Sequence, residues 1–306
     1  MQRSFHHISD DRCIFAFGPS SSPVEKAKPG DVIAFTTLDC FSNQITAEDQ
    51  YVSGIDFSRI NPATGPVAID GAVRGDALKV RVLEIAPGRR GTIVTIPDAG
   101  VLGAETKKST TRICQVRDGS VHFCGITIPA RPMIGVIGVA SDEETSCGNP
   151  GRHGGNLDTT LISTGATLYL PVFRDDGLLA LGDVHAVMGD GEACVAACEV
   201  PAEVTVRVDL CKGLAPAWPV LETDDAFFIL VSDKDLSEAF EEGFSSAVSA
   251  LAKANDLSWE DAYMLASLVV DAGVSQLVNP RKTIRVRIPK SMMTIGALLE
   301  ALHMDA

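Results

Sequence analysis

From about residue 30 to 210, apolar residues come in short alternating or continuous runs cut by Gly, Pro, Asn and Asp, the punctuation of an all-β chain. The clearest case is AEVTVRVDL (202–210). It sets Val204, Val206, Val208 and Leu210 on one face against Glu203, Thr205, Arg207 and Asp209 on the other, which predicts a half-buried strand with one wet side. LKVRVLEI (78–85) and GTIVTI (91–96) flank APGRR, whose Pro and Gly predict a turn, so the pair is expected to form a hairpin. After residue 230 the period changes. In SDKDLSEAFEEGFSSAVSALAKAND, Leu236, Phe240, Phe244, Val248 and Leu251 fall three or four apart, as one face of a helix requires. Ser258 to Asp261 reads as a capping box opening a second helix. TIRVRIP (283–289) returns to period two, and SMMTIGALLEALH predicts a third helix. The expected fold is mainly β: a β-sandwich or barrel-like body over residues 1–230 carrying the site, with an α+β part over 231–306 packed on it.

Composition narrows the function. Over 306 residues, 45% hydrophobic and 22% charged usage is that of a folded globular protein rather than a disordered one. Lys plus Arg number 26 against 40 Asp plus Glu, and the net charge of -14 repels polyanions, which argues against nucleic acid or an anionic membrane surface as partner. MQRSFHHISDDR lacks the apolar core of a signal peptide, and no apolar run reaches the length of about 18 residues that a membrane span needs, so a soluble cytoplasmic protein is expected. The eight cysteines include no CxxC pair and read as reduced, buried thiols.

Chemistry concentrates in two segments. LGDVHAVMGDGEAC gathers Asp183, His185, Asp190 and Glu192; if 181–187 is extended, Asp183 and His185 point to the same side. An oxygen and a nitrogen donor side by side suit zinc or a similar divalent ion. GRHGGNLDTT (151–160) offers His153 and Asp158 among glycines expected to let the backbone bend close around an ion. A histidine in a Gly-rich loop is ordinarily a hydrogen-bonded turn residue, but a second histidine-plus-acid cluster in a chain of six histidines favours a ligand. In FTTLDCFSNQI a strand end would deliver Asp39 and Gln44 to a shared cleft, while a turn capped by Asp39 fits the same residues equally.

NPATGPVAIDGAVRGDALKVRVLEI, PMIGVIGVA, GRHGGNLD, TLYLPVF and GDVHAVMGDGE, in this order, resemble the acetamidase/formamidase family of amide hydrolases over nearly the whole chain. The resemblance implies a metal-dependent amidase with a β-sandwich body and an added α+β part, a homo-oligomer (dimer or higher). It would cleave small linear amides such as formamide or acetamide to carboxylate and ammonia through a metal-activated water. Carried onto this chain, it makes His153, Asp158, Asp183 and His185 ligands of a divalent metal, with Asp39 a further one; zinc is the leading ion and calcium the alternative. Glu192 is then either general base or ligand, Asp190 a second catalytic candidate, and Gln44, Asn156 and Met188 substrate contacts. Backbone N–H groups of 148–156 are expected to steady the oxyanion. Two departures leave the substrate open between simple amide, lactam and other C–N bonds: Met188 stands where a glutamine is expected, and Val184 where a glycine is usual. Two rival readings stand beside this one. Cys147 in TSCGNPG, six residues before His153, would serve as a thiol nucleophile. Alternatively, a structural calcium would stabilise a β-sandwich binding module with no catalysis.

Overall fold

The computed structural model describes residues 4–304. A nine-stranded sheet runs from edge to edge through Phe5–Ile8, Val32–Thr37, Ala202–Cys211, Ala77–Pro87, Thr167–Pro171, Val220–Glu222, Ala226–Asp233, Lys282–Pro289 and Asp271–Gln276. An eleven-stranded sheet is organised on Leu179–His185, which pairs with Met133–Gly138, Glu199–Val200 and Ala63–Ile69. Ile33, Phe35, Val204 and Val206 from the first sheet meet Ile134, Ile137, Leu179 and Leu181 from the second in one apolar core. The fold is therefore mainly β, a sandwich-like body with helices at the C-terminal end. Each such side chain, fully buried, contributes about 1.5–3 kcal/mol.

The 202–210 pattern reads true. Ala202–Cys211 lies between Val32–Thr37 and Ala77–Pro87, with Val204, Val206 and Val208 buried and Leu210 half-buried. The expected hairpin does not form. Ala77–Pro87 pairs with Ala202–Cys211 and Thr167–Pro171, whereas Arg90–Thr95 joins the other sheet beside Thr110–Arg117 and Glu199–Val200. The Gly88 N–H donates to the Pro201 carbonyl at 2.7 Å, so the connection crosses from one sheet to the other instead of doubling back. A Pro-Gly turn serves either path; the core faces of the two strands decide between them.

Three helices follow: α1 (Leu236–Asn255), α2 (Trp259–Val269) and α3 (Ile295–Ala301). Their first turns are capped by Asp235, Ser258 and Thr294, whose side chains accept backbone N–H groups. On α1 the most deeply buried positions include Ala239, Gly243, Ala247 and Ala250, small residues that let the helix lie close on the sheet, while Phe240 and Phe244 are half-buried at its flank. This second core joins α1–α3 to Val220, Ile229, Val231, Ile284 and Val286. Residue 230 lies inside Ala226–Asp233, and the nine-stranded sheet continues across it. Among the described residues no helix is long and apolar enough to cross a membrane.

Candidate functional site

The site is built on Leu179–His185 and its neighbours. Strand pairing places Glu199 directly opposite His185. Opposite Asp183 the register with Met133–Gly138 skips Gly135, and a Cβ there would stand 2.5 Å from Asp158 Oδ1 and 2.8 Å from Asp183 Oδ2. Glycine at 135 is what lets two carboxylates rest against this strand. Asp158, Asp183 and Glu192 all adopt left-handed backbone, at φ 39°, 52° and 48°. Such conformations are costly for residues with a Cβ and persist where surrounding structure imposes them.

The side chains converge tightly. His185 Nε2 stands 3.1 Å from Glu199 Oε2, 3.5 Å from Asp183 Oδ1 and 3.9 Å from Asp158 Oδ1. Proximity is not satisfaction: both ring nitrogens of His185, Asp183 Oδ1 and Glu199 Oε2 are buried with no hydrogen-bond partner of acceptable geometry. Two trios, Asp158–His185–Glu192 and Cys40–Asp183–Glu199, each bring three donor atoms within 4.8 Å of one another. Amides brace the acids from outside. With its nitrogen turned toward them, the Asn156 amide reaches Asp158 Oδ2 at 2.9 Å and Asp183 Oδ2 at 3.0 Å. Asn279 Nδ2 donates to Asp158 Oδ2 at 2.6 Å. Gln276, itself buried, accepts the N–H groups of Val278 and Asn279 and so shapes the loop that delivers Asn279.

Four carboxylates and one imidazole share this volume. Burial, reinforced by the charge of Asp183, pushes Asp158 up to about 6 and Glu199 up to about 7. Burial and the neighbouring Asp158 raise Glu192 well above the usual carboxylate range. Burial opposes protonation of His185, yet Glu199 and Asp183 overcome it and raise the imidazole. The Cys40 thiol is raised by burial and then by Glu199 and Asp183. Every shift has one origin, negative charge taken out of water without a compensating cation. Orphaned, converging donor atoms in such a field fit a bound metal ion.

A cavity of about 330 Å³ opens onto the cluster; Asp183, Glu192, Glu199, Asn156 and Asn279 line its acidic end and Asn149 stands at its side. A larger groove of about 460 Å³ between α1 and α2, lined by Phe240, Trp259 and Tyr263, holds none of the converging residues.

Not every expected residue joins the cluster. Asp39 is buried beside it, but its Oδ1 accepts the N–H groups of Phe41 at 3.0 Å and Asn43 at 2.6 Å, the capping alternative; burial pushes it up to about 6. The His153 ring lies against Phe17 with centroids 5.3 Å apart, and burial alone lowers it to about 4. Its Nε2 is buried with no hydrogen-bond partner, and its glycines permit close packing: at Gly155, φ 81°, a Cβ would come within 2.2 Å of the Asn149 carbonyl and 2.9 Å of that Nε2. Asp190 is exposed, ion-paired with Arg285 and bonded to Thr160, clear of the cavity. The Gln44 amide is occupied by the main chain of Phe41 and Asp56. Met188 packs under the strand with Met133 and Ala197, so it replaces no polar group in the cavity, and Val184 belongs to the core. The N–H groups of Gly148 and Asn149 are taken by Ser146, and those of Gly151 and Gly154 by one another's carbonyls, which withdraws them from an oxyanion role. Cys147 is fully buried among Phe17, Val136 and Ala180 and donates to the Ile14 carbonyl; burial raises its thiol, the opposite of an activated nucleophile.

Three participants escape a linear reading. Glu199 leaves a signal, one acid in the apolar run VAACEV, and Cys40 adjoins Asp39, while nothing local marks Asn279.

The family model described as Acetamidase/Formamidase matches residues 7–148 and 145–295. The chain is 24% identical over 255 residues to the formamidase of Methylophilus methylotrophus, a match covering 63% of each, so it spans less than two thirds of that relative's length. Among solved structures, the acetamidase of Bacillus halodurans superposes with TM-score 0.91 at 41% identity, covering 93% of this chain and 97% of that one. A predicted acetamidase/formamidase of the thermophile Thermoanaerobacter tengcongensis gives TM-score 0.92 at 39% identity over 100% of both chains.

Proposed function

The chain belongs to the acetamidase/formamidase family, and on that footing we propose that it hydrolyses small neutral amides to carboxylate and ammonia with the help of a bound divalent ion. The observation that carries this reading is the buried cluster of Asp158, Asp183, Glu192 and Glu199 about His185, charged beyond what its own residues compensate and facing a cavity. Asp158, Asp183, His185 and Glu199, with Cys40, would hold the ion; a thiol and an imidazole among the oxygens favour zinc over calcium. When bound, such an ion polarises a carbonyl and lowers the pKa of water to about 7.

The chain's own residues supply the rest. Glu192 lines the cavity, and burial keeps its carboxyl able to exchange protons at higher pH than an ordinary glutamate. It accepts the proton of the attacking water and returns it to the departing nitrogen as the C–N bond breaks. Asn156 and Asn279 fix the orientation of Asp158 and Asp183. Among the described residues the cavity lining includes no Lys or Arg, which favours an uncharged substrate. The family resemblance also implies a homo-oligomer, and the exposed Trp259, Met264 and Leu268 of α2 suit such association.

The test is metal analysis of the purified protein beside ammonia release from formamide and acetamide, before chelation, after it, and after the ion is restored. The expected result is a bound divalent ion, loss of turnover on chelation and its recovery. Turnover indifferent to chelation, or no ammonia from any amide with the ion present, overturns the proposal.

A further inference from the structure

The cavity lining is of two kinds: beside the acids and amides it includes the apolar Phe41, Val52, Phe57, Ile60, Val94 and Ile96. Phe41, Val52 and Val94 are buried together in one small cluster, with Ile96 packed against it, so this wall is set by packing and exists before any ligand arrives. Phe57 is 55% exposed and forms the rim. Resting on the amidase reading, we propose that this wall selects the acyl group, and that the preferred substrates are primary amides with an apolar acyl chain of about four to six carbons or an aromatic ring, a size set by the space argument that follows.

Volume and chemistry both point there. At about 30 Å³ for each water-sized group, the cavity of about 330 Å³ holds roughly eleven such groups. The amide head, the attacking water and an ion fill about five of these places at the acidic end, leaving room for about six more. Formamide has no carbon beyond its carbonyl and acetamide one, so either leaves the apolar wall against water. Each further buried methylene contributes about 0.8 kcal/mol, close to four-fold in specificity. An anionic or strongly polar acyl group finds no partner on this wall.

The experiment compares kcat/KM for acetamide, butyramide, hexanamide and benzamide, and in parallel the thermal stabilisation that each amide gives without reference to turnover. Hexanamide is expected to exceed acetamide by roughly 250-fold, the product of about four-fold for each of its four extra methylenes. Ile60→Trp, which fills the half-buried side of the wall, and Phe57→Ser, which opens the rim, should each reduce the hexanamide-to-acetamide ratio by about ten-fold or more. Acetamide best in both assays, or a ratio unmoved by both substitutions, overturns the inference. Stabilisation by hexanamide with no turnover of any amide instead sinks the hydrolase reading and leaves the wall's preference standing.

Discussion

Asn279 Nδ2 lies 2.6 Å from Asp158 Oδ2, so an amide carried by the loop before Lys282–Pro289 holds an acid carried by the loop after Gly154–Asn156. Asn279 is half-buried and its removal leaves both cores intact. Asn279→Ala is expected to weaken divalent-ion affinity and kcat/KM by about 10–100-fold while the circular dichroism spectrum is unchanged. Asn279→Asp should do worse, because it adds a like charge beside Asp158. An alanine variant that binds the ion as tightly as the wild type would show the bond to be packing alone.

Glu192→Gln keeps the shape of the side chain and removes its proton chemistry. Turnover should fall by about 10²–10⁴-fold. Since the carboxyl is buried against Asp158, thermal stability should hold or rise. A variant retaining more than a tenth of the activity sinks the proton-transfer role.

The ion-free protein should become less stable as pH rises. Asp158 at about 6 and Glu199 at about 7 are raised above their ordinary 3.8 and 4.5. Their contribution is complete below about pH 4 and is lost as pH climbs through the folded values, because there the unfolded chain has already released protons that the folded protein still holds. Denaturant midpoints of chelated protein should therefore fall between about pH 4 and about pH 7, and restoring the ion should flatten the trend, since an ion replaces those protons. A chelated protein equally stable across that range contradicts the burial of uncompensated acids.

His153 carries the opposite sign. Lowered from 6.5 to about 4, it stays neutral when folded, and the unfolded chain takes the proton first as pH falls. Relative to His153→Gln, the wild type should lose on the order of 3 kcal/mol between about pH 6.5 and about pH 4. Parallel acid titrations of the two proteins that never diverge would show that burial does not hold the ring neutral.

Cys147→Ala should leave turnover within about two-fold and lower stability by about 1–2 kcal/mol, the loss of a small buried side chain. A dead but folded variant would revive the thiol mechanism.

Local period made much of this fold legible. The alternation of 202–210 and the three-to-four spacing of 236–251 each describe an element that needs no knowledge of its partner. Choice of partner was not legible: the 78–85 and 91–96 strands separate because their apolar sides belong to different sheets. The site divides in the same way. Asp183 and His185 sit two apart on one strand and announce each other, whereas Glu199 reaches His185 only across a strand pair. Asp39 was legible as an acid at a strand end, but its carboxylate closes the turn, and the residue beside it, Cys40, joins the cluster.

The Gly191 N–H donates to the Ser275 carbonyl at 2.8 Å, and the Leu277 N–H returns to the Gly191 carbonyl at 3.1 Å. The segment preceding Glu192 is thereby stitched to the same outermost strand that leads to Asn279. For a nascent chain this orders events in time. Glu192 and Asp158 gain their final supports only after residues 275–279 have cleared the exit tunnel, so a polypeptide ending before them lacks the bonds that hold its acids and is expected to be inert.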